Sequence, residues 1–168
     1  KFLSETIGIK KQQEVPFVED ISKIREYSHE MIDKIGEIVW ALNDKHDSLS
    51  DLLSYTRSYA VNYLAQNGIR CAVKSPGPLP YKFISGEFRR NIFLTVKEAL
   101  HNIVKHSHAS NVTMRINAEK ELFMEIADDG KGFDKKNIRP FSNGLSNMEK
   151  RITDLGGVIE ILNESGTT

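Results

Sequence analysis

Apolar residues recur along residues 17–42 at Phe17, Ile21, Ile24, Met31, Ile35, Ile38 and Leu42, in alternating steps of four and three, with only Ser28 polar in the row. A seven-residue repeat kept up over this length predicts a helix that packs against other helices in a bundle or coiled coil. The preceding residues 1–16 are poorly patterned. Phe2, Leu3, Ile7 and Ile9 suit the tail of a helix, and the polar run ending in Pro16 reads as a connector. Residues 43–47 are polar and read as a hinge, with Trp40 as a packing residue at the joint.

Ser48, with Asp51 three residues later, forms a helix-capping pattern. The helix it opens is expected to run to about Gln66 and to stop at Asn67-Gly68. Residues 69–73 read as a strand, and residues 75–80, with three prolines and a glycine, as a loop. Ser85 then caps a helix over residues 87–108. Its Ile92, Phe93, Val96, Ala99, Leu100, Ile103 and Val104 fall in one arc that predicts a buried face. Asn91, Glu98, Asn102 and Lys105 lie opposite, with His106 at the edge. Residues 111–117 alternate as a half-buried strand, and residues 121–127 are its expected hairpin partner. Residues 133–143 lack periodicity and read as a mobile loop. A helix over 144–155 gathers Leu145, Met148, Ile152 and Leu155 on one face and stops at Gly156-Gly157. A strand is expected over 158–162. This order predicts a two-layer α/β (α+β) sandwich, with helices on one face of a mixed sheet, preceded by the long bundle-forming helix.

The 168 residues suffice for one well-cored domain plus an appendage. Lysine and arginine together number 23, as do aspartate and glutamate, so no net field draws in nucleic acid and no direct nucleic-acid binding is expected. The single cysteine, Cys71, excludes an internal disulfide, fits a reducing compartment and reads as a core thiol. No apolar stretch is long enough to span a membrane, and no signal peptide is recognisable. The chain reads as part of a longer protein.

Glycine-rich phosphate sites usually join a strand to a helix, as in GxxxxGK[ST] or GxGxxG, and neither pattern occurs here. Asp128-x-Gly130-x-Gly132 instead follows a strand and opens a loop. A carboxylate fixed at a strand end can accept from an adenine amino group, and the glycines let backbone pass close under the ring. The same residues also make a plain turn between strands. On the helix of residues 87–108, the Asn102 amide oxygen suits magnesium, which takes few protein ligands beside phosphate oxygens. Glu98, one turn earlier, can orient a metal-bound water or accept a proton. Lys105 offers positive charge to phosphates, and His106 either does the same or caps the helix end. An ordinary solvated face carries such residues too. His46, His101 and His108 show no ligand spacing, so zinc is not expected.

Together and in order, Glu98-Ala99-Leu100-x-Asn102-x-x-Lys105-His106, Asp128-x-Gly130-x-Gly132, Asn143-Gly144-Leu145 and Ser165-Gly166-Thr167-Thr168 resemble the ATP-binding domain of sensor histidine kinases. That family belongs to the superfamily shared with gyrase, the heat-shock chaperone and the mismatch-repair ATPases, and the first motif is similar to its nitrate-sensing subclass. The resemblance is close over residues 88–168 and loose over 21–168. It implies a Bergerat-type ATP-binding fold with a final strand after Thr168. It implies that 1–16 end a first hairpin helix, 17–46 form the second dimerisation helix and hinge, and 47–168 form the catalytic domain. The implied ligands are ATP and Mg2+. Asn102 is the implied metal residue, Glu98 and Asn102 are catalytic, and Asp128 contacts adenine. Lys105, His106, Gly130, Gly132, Gly144, Leu145 and Thr167 complete the nucleotide site, with residues 133–143 as a lid that orders with nucleotide.

The implied activity is transfer of the γ-phosphoryl group to a histidine within a homodimer joined through its hairpin helices. A response-regulator receiver domain is the onward partner, and the location is cytoplasmic. Family acceptors sit in an R-x-L-H-[DE] context, whereas the candidate here reads Arg25-Glu26-Tyr27-Ser28-His29-Glu30, so the acceptor is expected upstream of Lys1. Two other functions fit the same motifs: an ATP hydrolase in which Glu98 activates water, and a non-catalytic nucleotide-binding regulatory module.

Overall fold

The computed structural model describes residues 47–77, 80–132 and 143–162, together with Ile21, Ile24, Arg25, Tyr27, Ser28, Met31, Ile35, Gly36 and Trp40. The expectations for residues 1–20, His29, the lid residues 133–142 and Thr167 lie outside the described residues. The chain divides into two compact units, Lys1–Leu42 and Asn43–Thr168.

In the first unit, every described residue from 21 to 40 is helical. Ile21, Ile24, Met31 and Ile35 each leave 50–65% of their surface exposed. The polar member of their row, Ser28, turns its hydroxyl back onto its own helix, donating to the Ile24 carbonyl at 2.7 Å.

The second unit opens with α1 (Leu49–Gln66). Ser48 caps it as expected: the Asp51 N–H donates to Ser48 Oγ at 3.0 Å, and that hydroxyl donates to Asp51 Oδ2 at 2.6 Å. The helix ends at Gly68, whose φ of +74° is costly for a residue with a Cβ. There the Ile69 N–H reaches back to the Leu64 carbonyl at 2.9 Å and the Gly68 N–H to the Ala65 carbonyl at 3.1 Å, a Schellman stop that satisfies the last carbonyls. Strand β1 (Arg70–Lys74) follows. Next comes α2 (Gly86–Asn102), capped by Ser85 Oγ, which accepts from the Phe88 N–H at 3.1 Å. Strands β2 (Asn111–Asn117) and β3 (Phe123–Asp128) and helix α3 (Asn143–Asp154) complete the described elements.

The three strands form one mixed sheet in the order β1-β2-β3. β1 and β2 run parallel, with Cys71 opposite Val112, and α2 supplies the crossover that parallel pairing requires. β2 and β3 run antiparallel, with Met114 opposite Ile126 and Val112 opposite Asp128. Val112, Met114 and Ile116 point to the buried face and alternate with exposed or half-exposed polar residues. Leu52, Leu53, Ala60 and Leu64 of α1 and Phe93, Val96 and Leu100 of α2 join them in the core. The Phe93 ring meets Tyr55 at 5.1 Å and Tyr59, edge-on, at 5.2 Å. Cys71 is half-buried, and burial pushes its thiol pKa up. No helix among the described residues is long and apolar enough to cross a membrane.

Two elements differ from the sequence reading. The helix expected over 87–108 leaves α geometry at Asn102 and ends in a π-helical turn, Ile103–Ser107. Residues 158–162 are not a strand: they join no ladder among the described residues, and Val158 and Leu162 are 87% and 73% exposed. Alternation reports which side of a chain is apolar, but a strand exists only where a neighbouring strand pairs with it.

Among the described residues, one charged side chain is buried. Arg89, in the first turn of α2, is 1% exposed and forms an ion pair with Asp47. Asp47 is also fixed through its main chain, its carbonyl accepting from the Ile84 N–H at 2.8 Å.

Candidate functional site

The site is built on the last turns of α2 and on what packs against them. Glu98 and Asn102, one turn apart, are both half-buried, whereas Lys105 and His106, in the π-helical turn, are exposed. π turns within helices are frequent at functional sites. This one closes on His108, in left-handed conformation at φ 58°. Ser107, buried, donates from Oγ to the Ile103 carbonyl at 2.8 Å and accepts from the Ala109 N–H at 3.0 Å.

The Asp128-x-Gly130-x-Gly132 loop sits directly on this turn. The Lys131 N–H donates to the Ser107 carbonyl at 2.9 Å. A Cβ on Gly130 would collide with the Ser107 carbonyl and lie 2.6 Å from Ser107 Cβ, so only glycine allows the approach. Gly132 has a φ of +68°. Asp128, exposed at the end of β3, accepts from the Gly130 N–H through Oδ1 at 2.9 Å, an Asx turn that sets the loop's first bend.

The third motif meets the same helix nearer its start, at Glu98. Gly144, in the first turn of α3, packs against the Glu98 carboxylate so closely that an added Cβ would overlap its Oε1 and lie 3.2 Å from Cδ. Leu145 beside it is half-buried. The second and third motifs thus meet one helix: Gly144 packs on Glu98 of the first motif and Gly130 on Ser107, one residue past its end, with Asn102 between those positions in the chain.

Sequence reasoning passed over Asp129. Its Oδ1 accepts from the Ser110 N–H at 2.7 Å and the Asn111 N–H at 2.8 Å, and its Oδ2 from Asn111 Nδ2 at 2.6 Å. These bonds, the Asn111 side chain foremost, hold its carboxyl below the ordinary carboxylate range although the group lies at the surface. An acidic residue just past a strand, opposite the start of the strand it pairs with, was the available signal.

No cluster of three or more His, Cys, Asp or Glu among the described residues could cage a metal ion. Glu98 and Asn102 nonetheless present oxygen donors one turn apart, a sparse hard set that fits Mg2+ sharing its shell with water and phosphate. A cavity of about 600 Å³ lies at the other end of the sheet, between Val73 and Lys74 of β1, Arg115 and Ile116 of β2, and Phe123 of β3. None of the motif residues lines it.

The family model described as histidine kinase-, DNA gyrase B- and HSP90-like ATPase matches residues 89–168. The sensor histidine kinase LiaS of Bacillus subtilis is 36% identical over 84 residues, covering 49% of this chain and 23% of LiaS. The signal transduction histidine-protein kinase/phosphatase DegS of Brevibacillus brevis is 41% identical over 80 residues, covering 46% of this chain and 21% of DegS. The match therefore spans less than a quarter of the length of either relative. Among solved structures, the histidine kinase domain of the Erythrobacter litoralis blue-light activated histidine kinase superposes with a TM-score of 0.57 at 18% identity, covering 71% of this chain and 59% of that one. The Acinetobacter baumannii histidine kinase AdeS gives 0.55 at 16% identity, covering 87% and 76%. At these identities the likeness establishes the α/β sandwich fold.

Proposed function

We propose, starting from a chain whose residues 89–168 match the histidine kinase-, DNA gyrase B- and HSP90-like ATPase family model and whose similar proteins include sensor histidine kinases, that it is a member of that family, binds Mg-ATP and passes the γ-phosphoryl group to a histidine in two-component signalling. The observation that carries this reading is the convergence of Gly144 on Glu98 and of Gly130 on Ser107, along one helix. A phosphoryl-transfer site needs little more than positioned charge.

In this reading the Asp128 carboxylate accepts from the adenine amino group, and Gly130 and Gly132 leave room beneath the ring. Asn102 holds Mg2+, which neutralises charge on the phosphates. Lys105 adds positive charge from the π-helical turn, His106 beside it offers a hydrogen bond to phosphate oxygen, and Gly144, Leu145 and Thr167 border the nucleotide. Glu98 accepts the proton or orients a water at the reacting end. The γ-phosphorus–oxygen bond to ADP breaks as the bond to an imidazole nitrogen forms.

The exposed Ile21, Ile24, Met31 and Ile35 row supports a homodimer through helices. A receiver domain as onward partner and a cytoplasmic location complete the proposal. The test is the full-length protein incubated with Mg-ATP. Acid-labile phosphohistidine is expected, and Asn102→Asp is expected to abolish it. Steady phosphate release with no phosphoprotein would overturn the kinase assignment in favour of hydrolysis.

A further inference from the structure

We propose that Asp129 is a positioning residue, which locks the 128–132 loop to the head of β2 and so holds Asp128 and Gly130 where an adenine ring would meet them. The proposal rests on the nucleotide reading above.

The loop is fastened at two points, one on each side of Gly130. On one side, Asp129 takes three donors from Ser110 and Asn111, and its own N–H donates to the Asn111 carbonyl at 3.2 Å. On the other, the Lys131 N–H holds the Ser107 carbonyl. The anchor itself is fixed, because the Ser110 carbonyl accepts from the Arg70 N–H of β1 at 3.0 Å. Gly130, spanning the two fastenings, already lies against Ser107 with no room for a methyl group. Releasing Asp129 therefore frees the peptide that carries both the Asp128 carboxylate and the Gly130 N–H to which that carboxylate is bonded. In this reading Asp129 acts through the loop and not on the ligand: three of its acceptor positions are filled by the head of β2.

The chemistry of the lock is directional. In Asp129→Asn, an oxygen can still accept from the two backbone amides, but an NH2 group faces the NH2 group of Asn111. Exchanging the pair, Asn111→Asp with Asp129→Asn, reverses donor and acceptor and restores the side-chain bond.

The test uses this chain with a fluorescent ATP analogue and Mg2+, together with amide hydrogen exchange resolved at Gly130 and Lys131. Asp129→Asn is expected to weaken analogue binding roughly tenfold, as loss of a charge-assisted hydrogen bond implies. It is also expected to speed exchange at Lys131 while the circular dichroism spectrum stays unchanged. The exchanged pair is expected to recover both within about threefold. Unchanged exchange at Lys131 in Asp129→Asn, or an exchanged pair no better than Asp129→Asn alone, would overturn the lock. If the exchange effects appear but the unaltered chain binds no analogue, the lock stands and the nucleotide reading fails. If the analogue binds but Asp129→Asn moves neither readout, the nucleotide reading stands and the lock fails.

Discussion

Gly144 and Gly130 are both intolerant of a side chain, for different reasons with different consequences. A methyl at Gly144 meets the far end of Glu98, which can swing aside, whereas one at Gly130 meets the main chain of Ser107, which cannot. Gly144→Ala is therefore expected to leave the melting temperature within about 2 °C of wild type. On the proposed function it is expected to cut phosphoryl transfer by roughly tenfold or more, because that reading puts the displaced carboxylate at the reacting end. Gly130→Ala is expected to destabilise the domain by about 1–3 kcal/mol, measured by urea denaturation. Asp129 adds a pH signature. Its folded-state pKa is lowered, so its contribution is present above the ordinary carboxylate range and is lost as pH falls through the lowered value. Protection of the Lys131 amide, after correction for intrinsic exchange, is expected to stay flat from neutrality down to about pH 5 and to fall only in stronger acid.

Among the elements, much was legible because the deciding contacts are local. The Ser48 and Ser85 caps, the Asn67-Gly68 stop and the alternation of β2 each involve residues a few positions apart, and the structure shows all of them. Arg89 was not legible. It continues the apolar row of α2 through Phe93, Val96 and Leu100, where a charge looks like an interruption, and the acid that neutralises it lies 42 positions earlier. The π-helical turn was not legible either; its last carbonyl, on Ser107, accepts from the Lys131 N–H of a distant loop. The expected strand over 158–162 failed on pairing, which composition does not report. Within the site, the motif residues were legible as words in order, but the contact of Gly144 with Glu98 and the role of Asp129 required coordinates. Two ion pairs among the described residues make the energetic contrast measurable. Asp47→Ala removes an ion-pair partner of Arg89, whose side chain is 1% exposed, and is expected to cost about 3 kcal/mol. Arg115→Ala breaks a 2.5 Å pair with Glu125 whose members are 52% and 40% exposed, and is expected to cost less than about 1 kcal/mol. Paired urea titrations of the two variants check both values.

For the molecule as a whole, the two units pose separate questions. The helical row of the first unit leaves Ile21, Ile24, Met31 and Ile35 open to solvent, an arrangement suited to burial against another helix. Ile35→Glu is expected to yield monomers by light scattering, and an undiminished dimer would remove that assignment. The second unit poses the question of where a nucleotide binds. The described residues offer two contrasting places: the Glu98–Asn102 end of α2 with the Asp128 loop, and the cavity of about 600 Å³ at the far end of the sheet. Backbone and side-chain amide chemical shifts recorded while titrating the chain with a non-hydrolysable ATP analogue and Mg2+ separate them directly. The account predicts saturable shifts at the Asn102 side-chain amide and at Gly130, Gly132 and Gly144, with Val73, Arg115 and Phe123 unmoved. Shifts confined to Val73, Arg115 and Phe123, or no saturable shifts at all, would contradict it.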